Sequence, residues 1–384
     1  MVRLYAIILK TVEKEAFHDL KKIMAVFGTR PEAIKMCPVI IELKKRKDVD
    51  LYVCITGQHR EMLRSVLDIF GVKADCDFDI MKSGQTLFDI TFSITEKLKA
   101  VLERENPDVV LVHGDTTTAF AASLACFYMK IPVGHVEAGL RTYDVYAPYP
   151  EEFNRRAIDI TAKYLFAPTR LSAENLLREG ADEKKIFVTG NTAIDAMKYT
   201  VSGDYSSPVT EWAKDSRMIL LTAHRRESIG ETMREMFRAV RRIADELDDV
   251  KIVYPVHPNL QVREAAGKIL SDHPRIKLIE PLDVRDFHNL MAKSYLILTD
   301  SGGIQEEAPS LGKPVLVLRD VTERPEGIEA GTLKLAGTSG ESIYSACKAL
   351  LCDRAEYNKM ARAQNPYGDG NASKRIADAL LCDN

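Results

Sequence analysis

The chain has 384 residues, of which 46% are hydrophobic and 28% charged, with a formal net charge of -3. At about 100–200 residues per domain this is a globular protein of two domains, each with a sizeable core. The near-balanced charge excludes a broad basic face for nucleic acid, and no apolar run approaches the roughly 20 residues that span a bilayer. The seven cysteines are an odd number with no CxxC pair. That argues against a disulfide framework or zinc ribbon and for reduced thiols in a cytoplasmic protein. The apolar stretch Leu4 to Leu9 is too short for a signal peptide and runs into Lys14 and Glu15. Residues before Lys21 read as an appended segment with no assigned role.

In chain order, short apolar runs alternate with helical stretches. Met24 to Phe27 is the first predicted strand, followed by a helix from about Pro31 to Lys45. Leu51 to Thr56 is the second strand, with helices near Glu61 to Phe70 and from Leu87 to Arg104. Val109 to Val112 and Pro132 to Val136 are strands on either side of a helix from Thr117 to Met129. A Gly, Asp, Ser and Pro stretch at Asp204 to Pro208 interrupts the pattern. It restarts with strands at Met218 to Thr222, Lys251 to Pro255, Lys277 to Ile279, Leu296 to Thr299 and Val315 to Leu318. A last helix, about Ala372 to Leu381, follows the turn-rich Asn365 to Gly370. The alternation predicts an α/β protein with parallel sheets covered on both faces and right-handed crossovers. The restart predicts a second sheet and a linker near 195–215.

Ligands of open parallel sheets bind at the carboxyl ends of the strands. Here those ends carry Gly28-Thr29-Arg30, Gly57-Gln58-His59-Arg60, His113-Gly114-Asp115, His135-Val136-Glu137, His224-Arg225-Arg226-Glu227, His257 and Asp300-Ser301-Gly302-Gly303. Thr299 to Gly303 leads from a strand into a helix. Its two glycines let a ligand approach the backbone, and helix N–H groups favour an anion such as a diphosphate. Arg30, Lys35 and Arg324 supply cations at other ends. The turn could also use glycine for geometry alone. There is no GxxxxGK[ST] and no GxGxxG after the first strand, which disfavours a P-loop enzyme and a nicotinamide enzyme.

Asp115, Glu137 and Glu151 fall in a short span, and His224 is their counterpart in the second half. Grouped carboxylates serve as acid and base or stabilise developing positive charge. Each also has a structural reading: Asp115 can cap the helix starting near Thr117, and Glu151 can supply negative charge to a helix N-terminus. His113 and His135 read as buried, satisfied histidines. Metal-ligand spacings such as HExxH are absent, and neither a catalytic metal nor a cofactor is expected.

Phe27 to Lys35, His113 to Thr116, Gly134 to Thr142, Pro150-Glu151-Glu152, His224 to Glu227, Thr299 to Glu307 and Thr322 to Pro325 together resemble the non-hydrolysing UDP-N-acetylglucosamine 2-epimerases. The resemblance runs from about Lys22 to the C-terminus. It implies the GT-B architecture, two Rossmann-like domains facing a cleft. They span 22–197, joined by the C-terminal helix 366–384, and 205–365, the latter binding UDP. It implies reversible epimerisation at C2 of UDP-N-acetylglucosamine to UDP-N-acetylmannosamine, by elimination of UDP to 2-acetamidoglucal and re-addition, without added cofactor. By resemblance Asp115, Glu137, Glu151 and His224 are catalytic. Arg30, Ser301, Gly302, Gly303 and Glu307 bind UDP, Glu307 at the ribose, with Lys35 and Arg324 at the phosphates. A second, activating UDP-N-acetylglucosamine is implied at Gln58, Gln85, Arg225 and His257, although Glu61 stands where some members have Gln and Gly84 where some have Arg. A homodimer and a place in cell-surface polysaccharide biosynthesis are also implied. A GT-B glycosyltransferase, a hydrolysing 2-epimerase and a non-catalytic nucleotide-sugar sensor are the competing readings.

Overall fold

The computed structural model describes residues 20–57, 60–82 and 84–382, without the side chains of Arg60, Glu61 and Arg226. Contacts divide the chain into two units, residues 20–189 with 373–382, and residues 190–372.

The first unit holds a seven-stranded sheet: β1 (Lys21–Phe27), β2 (Val49–Ile55), β3 (Cys76–Asp77), β4 (Val109–His113), β5 (Val133–Val136), β6 (Tyr164–Ala167) and β7 (Ile186–Val188). Their order is β3-β2-β1-β4-β5-β6-β7, and every pair is parallel. The second unit holds β8 (Arg217–Thr222), β9 (Val250–Pro255), β10 (Ile276–Ile279), β11 (Leu296–Thr299), β12 (Val315–Val317) and β13 (Leu333–Leu335). Here the order is β10-β9-β8-β11-β12-β13, again parallel throughout. Central strands such as Met24 to Phe27 and Leu296 to Leu298 are 0% exposed. They read as unbroken apolar runs because helices cover both faces. This is the α/β architecture the alternation predicts.

Strands β3, β6, β7 and β13 add to the predicted set. Each is only two to four residues long, too short for a period to show. The first domain boundary also differs from the expected 197–205. The helix Thr192–Thr200 belongs to the second unit, where Met197 joins the core with Leu220, Ile297 and Val315. Thr200 Oγ1 lies 2.8 Å from His288 Nδ1, and Asn289 Nδ2 donates to the Thr200 carbonyl at 2.7 Å. Residues 366–372 stay with that unit as well, the Tyr367 hydroxyl accepting from Gly327 N at 3.0 Å.

From Ser373 onward the last helix, Ala372–Leu381, joins the first unit. Arg375 donates to the Thr189 carbonyl at 2.9 Å, and Arg46 pairs with Asp378 at 2.7 Å. Ile376 and Leu380 are fully buried.

In each sheet the strand order reverses direction once, between β1 and β4 and between β8 and β11. Such switch points open crevices at the strands' carboxyl ends. Close packing there is strict at Gly28, where a Cβ would overlap the hydroxyls of Thr56 and Thr118.

Because Ile376 fills a core position, Ile376→Ala should cost about 2–5 kcal/mol and lower the thermal midpoint by several degrees. An unchanged melting curve would contradict the docking of this helix.

Candidate active site

At the first switch point the end of β1 is built around Glu32. Thr29 caps the helix Arg30–Lys44 in a capping box with Glu32. The Glu32 carboxylate accepts from Gly28 N at 3.1 Å, Thr29 N at 2.7 Å and Thr116 Oγ1 at 2.8 Å. Burial raises its pKa against these bonds. One side chain thereby ties the loop carrying Arg30 to the end of β4.

Glu137 ends β5 with φ 70°, a left-handed backbone that a non-glycine residue adopts only where its surroundings impose it. The network beneath it does so. His135 donates from Nδ1 to Asp159 at 2.6 Å and from Nε2 to the Gly114 carbonyl at 2.7 Å. Asp159 also accepts from Gly139 N at 3.3 Å and from Arg141 at 2.7 Å. Burial works against the Asp159 carboxylate, but His135 and Arg141 outweigh it and lower its pKa. Both His135 nitrogens are therefore engaged, as the sequence reading expects, and neither is left for a metal.

His113 differs from that expectation. It is buried, its Nε2 makes no hydrogen bond, and it stands 3.6 Å from Glu137 Oε2. Lys35 bonds the same carboxylate oxygen. Burial would raise the Glu137 carboxyl, but Lys35 and His113 together hold it well below the usual carboxylate range. Lys35, which the resemblance puts at the phosphates, thus meets the Glu137 carboxylate in this structure.

Asp115 does not cap the following helix; Thr116 does, accepting from Ala119 N at 3.0 Å. Instead Asp115 pairs with Arg155, and its carbonyl accepts from Asn154 Nδ2 at 2.9 Å. Arg155 lies one turn along the helix Glu151–Thr161, so Asp115 is bound to the helix that Glu151 opens. Glu151 itself is half-buried behind Pro150. Glu152, fully buried, accepts from Thr142 N at 3.1 Å and Tyr143 N at 3.2 Å. It shapes the loop between Glu137 and Glu151.

In the second unit, Ser301 leads from β11 into the helix Gly302–Glu307. Arg324 lies beside this turn, its Nη2 3.6 Å from the place a Gly302 Cβ would take. Glu306, buried, holds Arg324 through one oxygen and Asn191 Nδ2 through the other at 2.7 Å. Thr322 Oγ1 accepts from Arg324 N at 3.1 Å and donates to Gln305 at 2.6 Å. Glu307 lies at the end of the helix, 3.7 Å from His288 Nε2, with Oε1 3.9 Å from a Gly303 Cβ position.

His224 follows β8, with its ring stacked on His257 at 5.3 Å between centroids. Arg225 Nε donates to the Asp300 carbonyl at 3.2 Å. The second unit thus groups His224, Arg225, His257, Ser301 to Gly303 and Arg324, while Arg30, Lys35, Asp115, Glu137 and Glu151 lie in the first. Gln85, also in the first unit, accepts from Lys82 N at 2.8 Å; Gln58 lies outside the described residues.

Sequence reasoning missed Glu306, Arg155, the partnership of Asp300 with His224 and the buried, unbonded nitrogen of His113. The strand-end rule names Asp300 without its partner, and i,i+4 spacing from Glu151 could have found Arg155.

Two Rossmann-like units with acids at one switch point and a glycine turn with a cation at the other define a nucleotide-sugar enzyme of GT-B-like fold. A family model described as UDP-N-acetylglucosamine 2-epimerase matches residues 41–381. The chain is 60% identical over 360 residues to the UDP-N-acetylglucosamine 2-epimerase of Bacillus subtilis, covering 94% of this chain and 95% of that one. A solved chain from Listeria monocytogenes matches with a TM-score of 0.90 and 56% identity, covering 94% and 95%. A Neisseria meningitidis UDP-GlcNAc 2-epimerase, solved bound to UDP-GlcNAc, matches with 0.86 and 50%, covering 94% and 100%. The chain belongs to the UDP-N-acetylglucosamine 2-epimerase family.

Removing Lys35 leaves a buried carboxylate without its main partner, so Lys35→Met should cost about 3–5 kcal/mol at neutral pH. The Glu137 carboxyl is depressed in the fold, so its contribution is present above the unfolded carboxyl pKa and is lost as pH falls through the folded value. The difference between variant and wild type in denaturant melts should therefore shrink on acidification. A difference independent of pH would contradict an ionised Glu137.

Proposed function

We propose that this protein epimerises C2 of UDP-N-acetylglucosamine to UDP-N-acetylmannosamine by eliminating and re-adding UDP. The observation that carries this reading is the grouping of acids in the first unit. Asp115 is joined through Arg155 to the helix of Glu151, and Glu137 sits ionised at the next strand end with Oε1 3.9 Å from a Gly114 Cβ position. The C2 hydrogen is not next to a carbonyl, so direct deprotonation is hard. Breaking the C1–O bond makes it feasible. The bonding pair leaves with the diphosphate, positive charge develops at C1, and a carboxylate takes the C2 proton to give the glycal. UDP then adds back and a second acid protonates the opposite face of C2. Proton-handling groups on two faces and a negative field at C1 are what several carboxylates supply.

Arg324 and the backbone of Ser301 to Gly303 receive the diphosphate, with Arg30 a further cation and Glu307 at the ribose. Glu306 orients Arg324 through the guanidinium. Lys35 keeps Glu137 ionised and so able to accept a proton. Activation by a second UDP-N-acetylglucosamine, for which Arg225 and His257 stand next to His224, a homodimer, and a cytoplasmic location belong to the same reading. The free state of all seven cysteines fits the last.

Proton NMR of the protein with UDP-N-acetylglucosamine in D2O tests the reaction. UDP-N-acetylmannosamine carrying deuterium at C2 is expected, without added metal or nicotinamide. Free N-acetylmannosamine with UDP would mean hydrolysis instead, and an unchanged spectrum would favour a transferase or a sensor. In the same assay Glu137→Gln should lower kcat by roughly 10²–10⁴-fold, and a variant of wild-type rate would remove Glu137 from the chemistry.

A further inference from the structure

Strands β8 and β11 run side by side at the second switch point, with Thr222 opposite Thr299. His224 leaves the end of one and Asp300 the end of the other. Asp300 is 0% exposed. Its Oδ2 accepts the backbone N–H of His224 at 2.6 Å and of Arg225 at 2.8 Å, while its Oδ1, buried and making no hydrogen bond, stands 3.0 Å from His224 Nδ1. The imidazole is thus backed by a buried carboxylate and flanked by His257. Its own side chain remains 39% exposed, so its far edge is open to a ligand.

We propose that Asp300 is a positioning residue that fixes His224 with a hydrogen on Nδ1 and Nε2 as the working atom, and that the two act as one unit on the departing diphosphate. This rests on the reading of His224 as a catalytic group. A carboxylate only accepts hydrogen bonds, so the ring nitrogen turned to it carries the hydrogen. A second proton then sits on Nε2, its charge balanced by Asp300. As the C1–O bond breaks, the bonding pair goes to the β-phosphate oxygen, which takes the Nε2 proton. On re-addition that proton returns to Nε2 as the oxygen attacks C1.

Two further facts fit. Burial would raise the Asp300 carboxyl, but His224 and the backbone donors lower it, which keeps the carboxylate ionised. Burial and the neighbouring His224 lower the pKa of His257, so the ring stacked on His224 favours its neutral form.

Asp300→Asn separates positioning from simple support of the turn. The amide oxygen can keep the two backbone N–H groups, while its NH2 faces Nδ1 and demands a lone pair there. In serine proteases the same exchange inverts the tautomer of the catalytic histidine and cuts turnover by about 10⁴-fold. The experiment is long-range ¹H–¹⁵N correlation of histidine-labelled protein at alkaline pH, with the His224 ring identified by its loss in His224→Gln. Wild type should show the hydrogen on Nδ1 and Asp300→Asn should show it on Nε2. Asp300→Asn should lower kcat by roughly 10²–10³-fold with KM near wild type. The double variant should be no slower than His224→Gln alone, since residues acting as a unit are not additive. A wild-type Nδ1 without hydrogen, or losses that multiply in the double variant, would overturn the proposal. The wild-type spectrum decides this even if Asp300→Asn does not fold. A His224→Gln enzyme of wild-type kcat would instead sink the catalytic reading of His224, while the tautomer still reports whether Asp300 positions the ring.

Discussion

A carboxylate taken out of water must be met by a cation or by several hydrogen-bond donors, and this chain places such carboxylates at the carboxyl ends of its strands. Glu32 is met by two backbone N–H groups and a threonine. Glu137 has Lys35 and His113, Asp159 has His135 and Arg141, and Asp300 has His224 with two backbone donors. Glu306 is matched by Arg324 and Asn191. Each requirement draws one loop onto another, so the loops at the active edge are held by charge pairing where apolar packing ends.

These pairs also sort the carboxylates by role. Glu32, Asp159 and Glu306 have their oxygens committed to neighbours and serve as struts. Glu137 and Asp115 are instead each paired with a cation, Lys35 and Arg155, and Lys35 with His113 holds the Glu137 carboxyl well below the usual range, the condition for accepting a proton. The two sheets carry complementary chemistry at equivalent places: acids at the β1–β4 switch, and a glycine turn, an arginine and an imidazole–carboxylate pair at the β8–β11 switch. Elimination of a diphosphate needs both kinds of group.

Much of this is legible in the sequence because long buried strands write themselves as apolar runs. β1 and β8 are of that kind, and each leads into a loop that carries a residue of the site, Arg30 and His224. The short strands β3, β6, β7 and β13 leave no such trace, since their places come from pairing with neighbours. The helix Thr192–Thr200 is misassigned for a similar reason: its allegiance is set by contacts with His288, Asn289 and Glu306 far along the chain. The acids and the glycine turn are recognisable by residue type and strand-end position. Their partners are not. That Lys35 meets Glu137, that Asp115 meets Arg155 rather than capping a helix, and that His113 turns an unbonded nitrogen toward Glu137 are facts of three-dimensional neighbourhood.

Epimerisation by elimination requires that the C1–O bond break and re-form on the way to the C2 epimer. Positional isotope exchange measures this directly. UDP-N-acetylglucosamine labelled with ¹⁸O in the oxygen bridging C1 and the β-phosphorus is incubated with the enzyme and followed by ³¹P NMR. Elimination frees that oxygen to exchange places with the non-bridging oxygens of the β-phosphate, so the label should scramble in substrate and product at a rate no slower than epimerisation. Epimerised product with the label still wholly in the bridge would contradict the account and require inversion at C2 with the diphosphate in place.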